Sequence, residues 1–153
     1  MWQRFTEPSK RVVFYAQQEA GVQGVAFVTP EHILLGLLRE RSTAAGQILT
    51  QLGVKISSVE AEVRTLPSDT PEVLEHEMQL AKPAKKVIDY AYDETQILRM
   101  NEINTAHLLL GVMREGGIAS QIIQNNGVTF DAVRAAAARI GSEQKTPPAP
   151  PRP

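Results

Sequence analysis

The chain has 153 residues, 42% of them hydrophobic, so it can bury one core of ordinary size or two small ones. Its 16 basic and 17 acidic residues leave a net charge of −1, which gives no electrostatic basis for binding nucleic acid or an anionic membrane. The absence of cysteine excludes disulfides and thiolate chemistry. The N-terminus has no secretory signal pattern, and no apolar run approaches the ~20 residues that span a bilayer. We expect a cytoplasmic globular protein.

The chain contains two copies of one unit. The segment PSKRVVFYA, which begins at Pro8, has a counterpart 75 positions later in PAKKVIDYA, which begins at Pro83. The same shift relates His32 in HILLGLLRE to His107 in HLLLGVMRE, and after one deletion near Gly117 it becomes 74. A register kept over this distance indicates a tandem repeat.

Within each copy the apolar residues recur with helical spacing, and strand-like alternation is nearly absent. Turn residues divide each copy into four helices. The predicted helices cover residues 8–20, 30–40, 43–52 and 56–65 in copy one, and 83–97, 105–114, 118–126 and 129–140 in copy two. The predicted fold is therefore all-α, with eight helices in two pseudo-symmetric four-helix repeats.

Capping residues mark several of these boundaries. Thr29 is a good N-cap for the second helix, and Pro30 suits its first position. Asn104 has the same capping role in copy two. Gly53 and Gly127 follow the third helices, where a left-handed residue is preferred. The two copies are thus predicted to begin their second helix and end their third in the same way.

Proline-rich and polar segments set the predicted domain boundaries. Repeat one covers residues 1–65, a linker covers 66–80, and repeat two covers 81–140. Because a helical unit of about 65 residues is marginal alone, the repeats gain stability by burying an apolar face against each other. We therefore predict one domain over residues 1–140. Residues 141–153, which include KTPPAPPRP, are predicted to be a disordered proline-rich tail.

Three segments resemble the N-terminal domain of ClpC and ClpA, the Hsp100 unfoldases: RFTE from Arg4, TPEHILLGLLRE from Thr29, and KKVI from Lys85. The doubled His-hydrophobic-hydrophobic-Leu-Gly segment makes this resemblance specific, and it covers residues 1–140. It implies a module that lies ahead of two AAA+ ATPase modules and receives protein substrates and adaptor proteins for the Clp protease. Contact with the Clp ATPase ring or core is also implied.

The resemblance implies that the module hydrolyses nothing itself, and no G-x-x-x-x-G-K-[ST] phosphate loop occurs in the chain. No segment places an activated nucleophile beside a base and an oxyanion donor, so we expect no enzyme activity and no cofactor. Two alternatives are open. The chain is either the N-domain of a longer unfoldase, or a free-standing accessory protein that regulates or stabilises the Clp complex without recognising a tag.

In ClpC-type domains of some bacteria, each repeat has a pocket for phosphorylated arginine, built from a helix-start glutamate and a threonine near the start of the repeat. The resemblance assigns these positions in copy one to Glu31 and Thr6. The carboxylate would hold the guanidinium, while the hydroxyl and helix-terminal amides would hold the phosphate. Copy two has Ala106 and Ala81 instead. We therefore predict one phosphoarginine pocket, in repeat one; the alternative is that Thr6 only caps the first helix and Glu31 only compensates the dipole at the start of the second.

Four further residues are candidates for contacts with partner proteins. The resemblance implies that an aromatic residue at the position of Trp2 helps to form a hydrophobic patch that adaptors use, with core packing as the alternative. Lys10, Arg11 and Lys85 lie in the first turns of the first helices and could attract phosphate or an acidic adaptor surface. Solvated helix ends are the alternative for these cations.

The paired histidines of the repeats invite a metal hypothesis. Neither His32 nor His107 has a second ligand at helical spacing, such as a histidine or carboxylate four residues on. We therefore predict buried or helix-capping histidines and no metal site.

Overall fold

The computed structural model describes residues 2–67 and 79–140, and eight α-helices lie within them. The first repeat consists of α1 (Glu7–Gln23), α2 (Pro30–Leu38), α3 (Ala44–Gln51) and α4 (Ile56–Arg64). The second consists of α5 (Lys82–Ile97), α6 (Thr105–Glu115), α7 (Ile118–Asn125) and α8 (Phe130–Ile140). The prediction of an all-α fold with two four-helix repeats is confirmed. The predicted tail and most of the predicted linker lie outside the described residues.

The predicted capping residues occupy the predicted positions. Thr29 caps α2 and Asn104 caps α6, and each cap is completed by a histidine side chain that accepts from the backbone N–H of the capping residue. Gly53 and Gly127 follow α3 and α7 with φ of 84° and 86°, the left-handed conformation that closes a helix C-terminus. The sequence therefore specifies the same start of the second helix and the same end of the third helix in both repeats.

Helix α1 runs three residues beyond its predicted end, to Gln23, because the residue that stops it is Gly24, with φ of 72°. The equivalent residue after α5 is Arg99, which adopts φ of 57° and is the one non-glycine residue with positive φ in the described chain. A side chain in this conformation costs about 1 kcal/mol.

Replacing Arg99 with glycine should therefore raise the free energy of unfolding by about 1 kcal/mol, because glycine adopts positive φ without this cost. Urea unfolding of the Arg99→Gly variant measures the gain. Gly24→Arg, the reverse change in repeat one, is the matched control and should lose a similar amount. Equal stability of both variants and the wild type would contradict the cost assigned to the positive φ of Arg99.

Short backbone pairs join the two repeats crosswise. The strand β1 (Phe27–Val28), which precedes α2, pairs in parallel with β2 (Gln79–Leu80), which precedes α5. Ala81 N then donates to Val28 O at 2.8 Å. The mirror contact links the start of repeat one to repeat two, because Thr6 N donates to Ile103 O at 3.0 Å. The first residues of each repeat thus bind the segment that precedes the other repeat's second helix.

The second helix of each repeat lies at the centre of the fold. Nearly every residue of α2 and α6 is buried, and together they pack against each other and against the first helices. Gly36 of α2 and Gly111 of α6 face the backbone of α1 and α5 at these crossings. The absence of a side chain lets the helices approach closely. None of the helices in the described ranges is both long and apolar enough to cross a bilayer.

A buried carboxylate links three helices in each repeat. Glu19 of α1 accepts from Arg39, which follows α2, and from Arg64 of α4, with the shortest contact 2.6 Å from Arg64 Nη1. The Arg64 guanidinium holds the pKa of Glu19 below its ordinary value. In repeat two, Glu94 of α5 accepts from Arg114, the counterpart of Arg39, and from Arg134, which lies one helical turn before the position equivalent to Arg64.

Candidate functional site

The two residues predicted to form the phosphoarginine pocket lie at opposite ends of α1. Thr6 is the N-cap of this helix, and its Oγ1 accepts from Ser9 N at 3.3 Å. Glu31 lies near the other end, because the next residue, His32, contacts Gln23, the last residue of α1, at 2.7 Å. A helix of 17 residues is about 25 Å long. The structure therefore does not bring Thr6 and Glu31 into one site.

The crosswise pairing gives the physical reason for this correction. Because Ala81 is bonded to the strand that precedes α2, Glu31 faces the start of α5, where repeat two has alanine in place of threonine. Thr6 N donates instead to Ile103 O, two residues before α6, where Ala106 stands in place of glutamate. Each junction therefore holds only one of the two predicted ligands.

Glu31 lines a pocket of about 290 Å³ at the junction of the repeats, which we call the inter-repeat pocket. It lies between the start of α2, the end of α4, the start of α5 and the turn between α6 and α7. Its apolar walls are formed by Leu35, Val63, Leu66, Pro67, Pro83 and Ile118. A concave apolar site with a few polar groups is the usual form of a binding pocket.

Two carboxylates, Glu31 and Glu115, line the inter-repeat pocket, and neither pairs with a lysine or arginine among the described residues. Glu115 Oε1 accepts from Gly117 N at 3.0 Å. The Thr29 hydroxyl accepts from His32 N as the cap of α2, and it lies 3.0 Å from His32 Nδ1. The pocket is therefore negatively charged, and its one threonine hydroxyl is already engaged.

The histidines are buried capping residues, as predicted. Thr29 N donates to His32 Nδ1 at 3.0 Å, so the ring proton is on Nε2, which donates to Gln23 Oε1 at 2.7 Å. His107 Nδ1 likewise accepts from Asn104 N, but its Nε2 has no partner among the described residues. Leu98 stands at the position of Gln23 in repeat two. Burial lowers the pKa of both imidazoles, that of His107 to about 4.

The buried histidines make stability depend on pH. The unfolded chain binds a proton on His107 near pH 6.5, whereas the folded protein binds it only near pH 4. The contribution of the neutral His107 side chain to the free energy of unfolding is thus complete above pH 6.5. It decreases by about 3 kcal/mol as the pH falls toward 4. NMR titration of the imidazole resonances should show His107 neutral down to about pH 4, with a parallel fall in unfolding free energy. Titration of His107 near pH 6.5 would contradict this.

Trp2 is both packed and accessible. Its ring meets the buried Phe5 edge-on at a centroid distance of 4.9 Å, and 42% of the residue is exposed. Nearby, the Arg4 guanidinium lies 5.8 Å from the ring centroid of Tyr92, another exposed aromatic. The first residues of the chain thus present aromatic surface to solvent, while Phe5 belongs to the core.

The three predicted cations differ in their surroundings. Arg11 donates from Nε and Nη2 to the two carboxylate oxygens of Glu40, both at 2.7 Å, so this side chain is engaged within the protein and not free for a partner. Lys10 Nζ lies 3.1 Å from Glu7 Oε2 on the exposed face of α1. Lys85 is exposed on α5. Of the three, Lys10 and Lys85 keep the solvent access that a partner contact needs.

Two residues of the inter-repeat pocket, Glu115 and Ile118, are not predicted from the sequence. Glu115 is the repeat counterpart of Glu40, which binds Arg11 in repeat one. Repeat two has Lys86 at the position of Arg11, and this difference is the sequence signal that could have identified Glu115. Ile118 is the first residue of α7 and is 53% exposed. Helical periodicity alone does not predict this exposure, so it gives no sign that Ile118 lines a pocket.

A family model described as "Clp repeat (R) N-terminal domain" matches residues 4–126. The chain is 35% identical over 144 residues to an ATP-dependent Clp protease ATP-binding subunit ClpA homolog of Cyanidium caldarium, covering 94% of this chain and 17% of that protein. It is 33% identical over 144 residues to the chloroplastic chaperone protein ClpC1 of Arabidopsis thaliana, covering 94% and 16%. The chain thus spans about a sixth of these relatives, and with a chloroplast protein among them the cytoplasmic location stays a prediction.

Solved structures with the same fold include N-domains of several Clp ATPases. The N-terminal domain of ClpD from Arabidopsis thaliana has a TM-score of 0.69 and 23% identity, covering 92% of this chain and 95% of that one. The N-domain of ClpV from Vibrio cholerae has a TM-score of 0.77 and 17% identity, covering 93% and 89%. A ClpV N-domain in complex with VipB peptide has a TM-score of 0.76 and 16% identity, covering 93% and 91%. With the family match over most of the helical region, the chain belongs to the Clp repeat N-terminal domain family.

Proposed function

We propose that the chain is the substrate- and adaptor-binding module of a ClpC-type ATP-dependent chaperone–protease, and that it holds client segments in the inter-repeat pocket. The observation that carries the proposal is this apolar-walled pocket with two carboxylates that lack cationic partners among the described residues. The curated relatives named above are subunits of Clp ATPases, and a ClpV N-domain of the same fold has been solved with a peptide.

A phosphoarginine-binding site in the form expected from the sequence needs a hydroxyl beside Glu31. Thr6, the residue expected there, lies at the far end of α1, and Ala81 stands at the junction instead. The proposal therefore assigns client recognition to the inter-repeat pocket without the phosphate-binding half of that site.

The exposed surface around Trp2 and Tyr92 is proposed as a second contact, for adaptor proteins. Aromatic rings with an exposed edge and a cation over one face are typical of protein–protein contacts. Trp2→Ala should weaken adaptor binding while leaving client binding at the pocket unchanged.

Binding of an unfolded client polypeptide, measured by fluorescence anisotropy, tests the main proposal. A carboxylate at position 118 would add a third negative charge to the pocket and disrupt its apolar wall, so Ile118→Glu should weaken binding at least tenfold. Ile97→Glu is the matched control, because Ile97 is 52% exposed against 53% for Ile118 and lies at the opposite end of α5 from Pro83.

The accessory-protein alternative predicts a different result. A chain that regulates or stabilises the Clp complex without recognising clients would bind the assembled protease core and show no affinity for the client polypeptide. That outcome, or equal weakening by the two glutamate substitutions, would overturn the proposed function.

A further inference from the structure

We propose that the inter-repeat pocket selects an unphosphorylated arginine side chain, flanked by an apolar residue, in a segment of a partner protein. This inference rests on the proposed function and names the chemistry that the same site recognises. It is carried by the charge of the pocket, by a comparison of the two repeats, and by the shape of the walls.

The charge of the pocket favours a cation. Glu31 and Glu115 are half-buried and have no lysine or arginine partner among the described residues. The protein gives arginine partners to its buried carboxylates, Glu19 and Glu94, and to the half-buried Glu40. Carboxylates that line a pocket without a cation of the same protein are available to a cation that a partner supplies.

The repeats themselves show the contact that Glu115 lacks. In repeat one, the equivalent Glu40 is held in a two-point contact by Arg11, with both distances 2.7 Å, and also accepts from Tyr15 at 2.6 Å. In repeat two, the position of Arg11 is Lys86, which is exposed. Glu115 instead accepts from a backbone amide and lines the pocket, so its carboxylate remains accessible to an arginine from a partner.

The same set of residues disfavours a phosphate. None of the described lining residues is lysine or arginine, and burial lowers the pKa of His32, which keeps this side chain neutral at pH 7. The Thr29 hydroxyl is engaged in the cap of α2, and the proline at the next position has no N–H to donate. A phosphate on the arginine would therefore bring about two negative charges beside two carboxylates, with no lysine or arginine among the described lining residues to compensate them.

The shape of the pocket selects the kind of cation. About 290 Å³ between the walls of Leu66, Pro83 and Ile118 suits one long side chain and part of its neighbour. The aliphatic stem of arginine packs on such walls, while its planar guanidinium can contact two carboxylates at once. Lysine offers a compact, strongly hydrated charge instead and fits this arrangement less well.

Calorimetry with four capped pentapeptides tests the inference at pH 7 and low salt. The peptides have the form Gly-Leu-X-Leu-Gly, with arginine, lysine, glutamine or phosphoarginine at X. We expect the arginine peptide to bind most tightly and the glutamine and phosphoarginine peptides at least tenfold more weakly. Glu31→Gln and Glu115→Gln should each weaken the arginine peptide about fivefold or more, whereas Asp131→Asn, an exposed charge loss on α8, should leave it unchanged.

Several results would overturn the inference. Equal or tighter binding of the phosphoarginine peptide would show that a phosphate site exists, and equal weakening by Asp131→Asn would show general charge attraction only. If the arginine peptide fails to bind while the client polypeptide still binds and remains sensitive to Ile118→Glu, this inference fails and the proposed function stands. NMR spectra of each variant verify that the fold is intact.

Discussion

Replacing Glu94 with alanine should lower the free energy of unfolding by about 3 kcal/mol. This carboxylate is fully buried, accepts from Arg134 Nη2 at 2.7 Å and Nε at 3.0 Å, and accepts from Arg114 Nη1 at 3.0 Å. Its removal leaves two guanidiniums without their shared acceptor and opens a cavity between α5, α6 and α8. Because both arginines retain some solvent access, the loss should fall at the lower end of the range for broken buried ion pairs.

Urea unfolding of Glu94→Ala beside Glu60→Ala measures this effect. Glu60 pairs with Arg64 at 3.1 Å on the exposed face of α4, where such a contact contributes less than about 1 kcal/mol. Similar losses in the two variants would contradict the assignment of Glu94 as a structural anchor. Glu94→Gln, which keeps the volume but removes the charge, should fall between them.

Replacing Gly111 with alanine should cost about 2–3 kcal/mol, because the new β-carbon would collide with the Val87 carbonyl oxygen of α5. Backbone cannot move aside as a side chain can, so α5 and α6 would have to separate. Gly36→Ala should have a similar effect in repeat one, where the added β-carbon would lie 2.5 Å from Val12 O. Thermal or urea unfolding measures both losses.

Gly21→Ala is the matched control for these glycine substitutions. Gly21 lies inside α1, and an added β-carbon would meet no heavy atom within 4 Å beyond the neighbouring backbone of its own helix. Alanine is favoured over glycine in a helix interior, so this variant should gain about 0.5–1 kcal/mol. A loss at Gly21 as large as that at Gly111 would show that helix propensity or the unfolded state, not the helix crossing, controls the effect.

Local features of the fold could be predicted from the sequence because they depend on neighbours along the chain. Thr29, Asn104, Gly53 and Gly127 act within one helical turn of their positions, and all four have the predicted roles. Because the two copies are equivalent at a fixed shift, the four helices predicted for one copy are also predicted for the other. Capping and periodicity thus indicate where the helices lie along the chain.

The composition of the site could not be predicted in the same way. A repeat identifies equivalent positions, but it does not tell which equivalent residues meet in space. The crosswise contact of Val28 with Ala81 rests on a strand pair of two residues, too short to leave an alternating pattern. The family resemblance, applied to each repeat separately, therefore paired Thr6 with Glu31, whereas the fold brings each of them to the other repeat.

The repeats also differ in ways that matter for function. Gln23 accepts from His32 in repeat one, while Leu98 leaves the equivalent nitrogen of His107 without a partner among the described residues. Glu31 likewise stands where repeat two has Ala106, and this single difference adds a carboxylate to the inter-repeat pocket.

The location of client binding is the central claim, and NMR mapping tests it most directly. An isotope-labelled sample titrated with unfolded client polypeptide should show amide shifts at Glu31, Leu66, Glu115 and Ile118, with much smaller shifts on the exposed face of α1 at Phe14 and Val22. Shifts confined to α1 or to the surface around Trp2, with the pocket amides unchanged, would contradict the claim.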